Sequence, residues 1–440
     1  MKKSTGIIFL VAAALAAFVY FYDMKHNPPS KETPADTSKP AFSVSSDDIT
    51  GMQLDRAGSS AVFVRQSDGW YIAQPFAARA DQSVLDGVAT QLSTLRVDRT
   101  LTATPDQLAS FGLSKPAVTL DFTLKSGAKH TLQLGAKDFS GSSAYAIVDN
   151  SKSVALISDA ILTSSDKPLD DFRDHGVLAL DTGSVASVDL KNASGEITAV
   201  KDGAGWKIEK PRAVAADGDA ISSLLSAVGS ARISSFVSDS GTDLAKYGLG
   251  KPAITFSAKL SNGKTAELQV GKKEGSDYDA RDASRPTIFR VNDSLFKSLS
   301  DKLFDLRDKQ LLPITASDIA RAQMKNEKGT TTCVQSASGD LVLEQPAGAK
   351  GTPPECPGFV DSLEGARAQE IYDAPLAAIS SSVAKAPIVI AITDKSGKNT
   401  EIRVSAVSGD AVYARTSAGP EIYKLDKQLF TDLDTAPPKQ

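Results

Sequence analysis

Apolar and polar positions along this chain follow two periods, and the periods recur in the same order. Alternation with period two predicts an opening strand at 49–54, then strands at 61–64 and 70–73. The same pattern returns at 185–190, 197–200 and 206–209. Asp68-Gly69 reads as a tight hairpin turn, and Pro75 and Pro211 end the third strand. The period then changes. Val84, Leu85, Val88, Leu92 and Leu95 fall on one face of a helix, as do Ala220, Ile221, Leu224, Val228 and Ala231. A short helix or turn is predicted around Leu108 and Leu244. Four strands follow, near 117–124, 129–134, 143–148 and 154–157, and again near 253–260, 265–270, 278–281 and 287–291. Ser126-Gly127 and Asn262-Gly263 turn the hairpins. Each series closes with a polar helix and a charged tail, Asp171-Phe-Arg-Asp174 or Asp305-Leu-Arg-Asp308.

The recurrence has a fixed offset. Trp70 and Trp206 stand 136 positions apart, and the same step carries Gly112 to Gly248, Pro116 to Pro252 and Gly135 to Gly271. Agreement over so long a stretch marks a duplicated domain. A third, divergent copy follows. Gln345-Pro346 corresponds to Gln74-Pro75, Ala386-Pro387 to Lys115-Pro116, and Lys395-Ser-Gly397 to Lys125-Ser-Gly127. This copy lacks the tryptophan, the Gly-Leu motif and the Asp-x-Arg-Asp tail, and its core helix is predicted to be shorter. The expected fold class is α+β: an N-terminal transmembrane helix followed by three tandem, mostly antiparallel α+β repeats, the third divergent. The expected divisions are a signal-anchor at 1–25, a Pro/Ser/Thr-rich linker at 26–43, and repeats at 44–180, 181–313 and 314–440.

The anchor prediction rests on residues 6–22, an apolar run free of charge that follows Lys2 and Lys3. A cleaved signal peptide is the competing reading. The aromatics that end the run, Phe18, Tyr20, Phe21 and Tyr22, favour an uncleaved span with an interfacial belt. The two lysines keep the N-terminus in the cytoplasm, which places a single-pass protein in the inner membrane with most of its chain in the periplasm. Residues 27–40 read as an extended tether.

Together these residues resemble a known family. The pattern Trp-x-Ile-x-x-Pro, an amphipathic helix, Tyr/Phe-Gly-Leu-x-x-Pro, a Leu-Gly strand end and Leu-Arg-Asp resembles the bacterial domain of unknown function numbered 4340. It is carried by Trp70, Gly112, Pro116, Gly135 and Arg173, and again by Trp206, Gly248, Pro252, Gly271 and Arg307. The resemblance implies a membrane-anchored envelope protein linked to ABC transporters of the gliding-motility auxiliary type. It implies no catalytic residue and no cofactor. The motif positions are residue types expected to be structural.

Composition narrows the chemistry. With 49 Lys and Arg against 53 Asp and Glu, the net charge is −4 and no basic stripe is visible, which argues against nucleic acid as a partner. The three histidines, His26, His130 and His175, are scattered, so a histidine-based metal site or triad is not expected. Cys333 and Cys356 are the only cysteines. Outside the cytoplasm they are disulfide candidates, tying the long loop of the third copy to its sheet. Closing a loop of that size contributes roughly 3 kcal/mol in the chain-entropy picture. Ser294-Leu-Phe-Lys297 and Ser382-Val-Ala-Lys385 match the S-x-x-K pattern of acyl-enzymes, but Lys264-Thr265 is followed by Ala266, so no Lys-Thr-Gly element accompanies them. Residues 395–400 lack phosphate-loop spacing. The expected protein is therefore a non-catalytic scaffold or accessory subunit of an envelope complex. A binding module for cell-wall glycan or peptide is the alternative, and an envelope hydrolase the weakest reading.

Overall fold

A computed structural model describes residues 38–345 and 355–438. The predicted membrane span at 6–22 lies outside them, and among the described residues no helix is long and apolar enough to cross a membrane. The chain forms two compact units, 1–174 and 175–440. The first is built on one sheet of ten strands, and the second on sheets of nine and eight.

All three sheets share one topology. In the first, eight strands run in chain order as Ile49–Arg56, Ser59–Gln66, Gly69–Gln74, Arg96–Thr102, Val118–Leu124, Lys129–Lys137, Ser143–Val148 and Ser153–Ser158. Their spatial order is 3-2-1-5-6-7-8-4, every neighbouring pair antiparallel. The second sheet, from Val185–Asn192 to Ile288–Val291, repeats this order, and so does the third, from Ile319–Asn326 to Ile422–Asp426. The third copy thus keeps the sheet despite its lost motifs. The fourth strand was not predicted in any copy. Arg96–Thr102 is mostly exposed, and Ser235–Ser238 and Glu370–Tyr372 are short, so none carries an apolar stripe. Lys39–Pro40, expected to be tether, pairs with Val97 and Arg96, and Phe42 packs edge-on against Phe122 with ring centres 5.0 Å apart.

One helix covers each core. Gln82–Thr94 buries Leu85, Val88, Ala89 and Leu92, and the Asp81 carboxylate caps it by accepting from the Ser83 and Val84 amides. Gly218–Gly229 buries Ile221, Leu224, Leu225 and Val228 below an Asp217 cap. In the third copy Phe359–Glu364 takes this place. Cys333, on the second strand, is bonded to Cys356 just ahead of that helix, with Cα atoms 5.7 Å apart.

The motif residues occupy two kinds of position. Trp70 is fully buried, and its indole N–H donates to Asp86 at 2.9 Å. Trp206 is half-buried against the second core. Gly112 and Gly248 both have φ +71, ending the short helical turns before Pro116 and Pro252. Gly135 and Gly271 lie on the sixth strands, directly beneath the carbonyls of Phe111 and Tyr247. A methyl group at either position would meet that carbonyl. Gly271→Ala is therefore expected to cost about 2 kcal/mol by overpacking against main chain. Calorimetry should show a lowered transition for unit 175–440 and an unshifted one for unit 1–174; equal shifts in both would contradict it.

Candidate functional site

The two charged tails carry Arg173 and Arg307 at their centres. Each tail first closes its own repeat. The tail runs back beside the segment that leads into the core helix, so the Asp81 amide donates to the Phe172 carbonyl at 2.9 Å and the Asp217 amide to Leu306 at 2.9 Å. One step further, Asp174 donates to Arg79 and Asp308 to Ala215, at 3.1 and 2.9 Å. Arg173 and Arg307 sit inside these clasps, 3% and 5% exposed.

Their side chains find different surroundings. The Arg173 guanidinium lies 4.6 Å over the Phe76 ring, and its Nη1 donates to Asp170 at 3.1 Å. The position equivalent to Phe76 in the second copy is Arg212. There a four-residue charge network forms. Arg212 donates to Asp373 and Glu421, both at 2.7 Å, and Arg307 donates to the same Asp373 oxygen at 2.9 Å. Asp373 follows the fourth strand of the third sheet and Glu421 precedes its eighth, so two arginines of the second copy grip two carboxylates of the third. Main chain stitches the same joint: Leu311 donates to Ala366 at 3.0 Å and Ala368 to Lys309 at 2.8 Å.

Beside the network lies a cavity of about 280 Å³, lined by Val214, Arg307, Lys398, Thr400, Thr416 and Tyr423 among others. Burial pushes the Tyr423 phenol above its ordinary value of 10.0, with the nearby Glu421 carboxylate acting in the same direction.

The other sequence candidates lie apart from this site. His130 bonds Asp149 at 2.9 Å and stacks on Phe122, while His175 bonds the Ile233 carbonyl. Lys297 is held by Asp293 at 2.8 Å, and that hydrogen bond raises its pKa, the opposite of what activating Ser294 requires. The Ser382 hydroxyl donates to the Ile379 carbonyl at 2.7 Å. Among the described residues no group of His, Cys, Asp or Glu is placed to hold a metal. His26 lies outside them.

Several structural residues were missed by sequence reasoning. Asn192 donates to the Leu299 and Asp301 carbonyls at 3.0 and 2.8 Å, and Asn326 to Leu433 and Thr435 at the same distances. Arg56, at the equivalent place in the first copy, bonds Asp166 and the Lys167 carbonyl. All three tie the end of the opening strand to the end of the repeat. The offset that aligns the tryptophans also aligns Arg56 with Asn192, and that was the available signal.

The profile of a family described as a domain of unknown function, DUF4340, matches residues 70–210 and 206–379. Both matches begin at the motif tryptophan, and the second runs through the joint and past the fourth strand of the third sheet into the helix Ala377–Ala384. No curated protein matches the chain.

Two outcomes test the joint. Asp373→Asn removes the negative charge shared by two guanidinium groups, one almost fully buried, and is expected to cost about 1–3 kcal/mol. The unfolding transition of unit 175–440 should fall and that of unit 1–174 should stay. For Tyr423 the folded pKa is raised, so its stabilising contribution is complete below pH 10 and is lost as pH climbs through the folded value. Between pH 9 and 11 the melting temperature of the wild type should therefore fall more steeply than that of Tyr423→Phe, and parallel slopes would contradict this.

Proposed function

The chain belongs to the DUF4340 family, and from that premise and the geometry above we propose that it is a non-catalytic, membrane-anchored periplasmic scaffold, an accessory subunit of an ABC-transporter-linked envelope complex. The observation that carries this reading is the use made of the repeated charged residues. Arg307 is spent on closing its repeat and fastening it to the next, together with Arg212, Asp373 and Glu421. Groups that hold each other at 2.7–2.9 Å build a rigid surface and leave no charge poised over a substrate. The raised pKa of Lys297 supports the same reading against a serine hydrolase. The transporter link comes from the family resemblance and is an analogy.

A second reading has its own support. The cavity beside the joint offers the Tyr423, Thr400 and Thr416 hydroxyls and the Lys398 amine next to apolar Val214, the mixture that a sugar or short peptide meets in a binding groove. Affinity purification of the full-length protein from its native membrane separates the two. The scaffold reading expects stoichiometric transporter subunits that are lost when the repeats are deleted. Recovery alone or with cell-wall fragments, with soluble glycan or peptide protecting the joint from proteolysis, would replace it by the second.

A further inference from the structure

The most exposed large apolar side chain among the described residues is Phe139, whose ring touches solvent on all sides at 103% exposure. It sits at the tip of the hairpin joining Lys129–Lys137 to Ser143–Val148. The turn beneath it is tightly built. Asp138 donates its amide to the Ser143 carbonyl at 2.8 Å, and its carboxylate accepts from the Ser140 hydroxyl at 2.8 Å and from the Ser143 amide at 3.2 Å. Gly141, at φ +75, donates back to the Asp138 carbonyl. The ring is thus presented on a fixed mount. The fold does not need it there, because the corresponding hairpin of the second copy is shorter and turns through Gly275 and Ser276 without an aromatic ring.

Register places this tip near the point where the N-terminal tether joins the sheet. One row of paired residues runs Lys39, Val97, Ile157, Ala144, Lys137 across the first sheet. Lys39 follows directly on Ser38, the first described residue, and Lys137 begins the turn. Four strand spacings of about 4.8 Å separate them, roughly 20 Å in all. The tether from the predicted span, ending at Tyr22, to Ser38 reaches at most about 55 Å when fully extended. The tip is therefore held within reach of the bilayer that carries the anchor.

We propose that the turn 138–142 is a membrane-contact tip, with the Phe139 ring entering the interfacial layer of the bilayer that holds residues 6–22. This rests on the anchor reading above. A lipid interface fits better than a protein partner, because Ser140, Gly141 and Ser142 around the ring are exposed and small. A specific protein contact needs about 800 Å² of complementary surface on each side. A bilayer interface accepts one aromatic ring with hydroxyls at headgroup level. The tether makes so small a contact sufficient, since it supplies the effective concentration.

The test uses full-length Phe139→Trp in phosphatidylcholine–phosphatidylglycerol vesicles containing lipids brominated on the acyl chains. Wild type supplies the background from Trp70 and Trp206. Phe139→Ser should melt at the wild-type temperature, since the ring packs on nothing. The expected result is that the additional emission of Phe139→Trp is blue-shifted and quenched by the brominated lipid. Emission that stays solvent-like while the protein floats with the vesicles would overturn the tip and leave the anchor standing. Blue-shifted but unquenched emission would mean that protein covers the ring, and would also overturn it. Protein that does not float would remove the anchor reading and this inference with it.

Discussion

Each of the first two repeats depends on a short main-chain clasp between its last residues and the segment entering its core helix. The helix cannot seat its apolar face unless its N-terminus is fixed. The capping carboxylate of Asp81 or Asp217 fixes it locally, and the amide of the same residue is held by Phe172 or Leu306 from the far end of the repeat. That contact is non-local in sequence, so each repeat must complete its sheet before the helix is secured. It also places a buried arginine at the site where the chain leaves the repeat. Removing a guanidinium from water is costly and demands acceptors or a π-face close by. Phe76 and Asp170 lie against the Arg173 guanidinium, and Asp373 accepts from Arg307.

Replacing Phe76 by its counterpart Arg212 changes what the clasp can do. An aromatic ring satisfies one guanidinium without adding charge. A second guanidinium in its place demands acidic partners, and Asp373 and Glu421 of the third copy supply them. The exchange of Phe76 for Arg212 thus adds a second guanidinium beside the buried arginine of the second clasp, and with it two carboxylate contacts. Arg307 was visible to sequence reasoning because it repeats. Asp373 and Glu421 belong to none of the motifs that the sequence singled out, so their pairing with the two arginines was not visible.

The same division explains how much of the fold could be read in advance. The opening hairpins, the helix faces and the Gly-Leu turns carry strong local signals: period-two alternation, period-3.6 apolar spacing, and glycines at φ +71. The fourth strand carries none, since the side chains of Arg96–Thr102 mostly face water. The Lys39–Pro40 strand is hidden by a proline-rich composition that reads as tether. The ties made by Arg56, Asn192 and Asn326 escape because one polar side chain reaching acceptors more than a hundred residues away has no period.

The third copy keeps the topology without the tail motif that forms the clasp. It has no Asp-x-Arg-Asp tail to run back beside its helix, and that helix, Phe359–Glu364, is half the length of its counterparts. The Asn326 tie still holds the end of the repeat. The segment ahead of the helix is instead pinned by the Cys333–Cys356 bond, and the Cys356 amide donates to Leu341 at 3.1 Å. Cys333 is fully buried on the second strand, so the bond fixes the helix approach directly to the core. A covalent link does here what the returning tail does in the other two copies. The functional requirement common to all three is thus a fixed point just before the core helix, and the chemistry that supplies it is interchangeable.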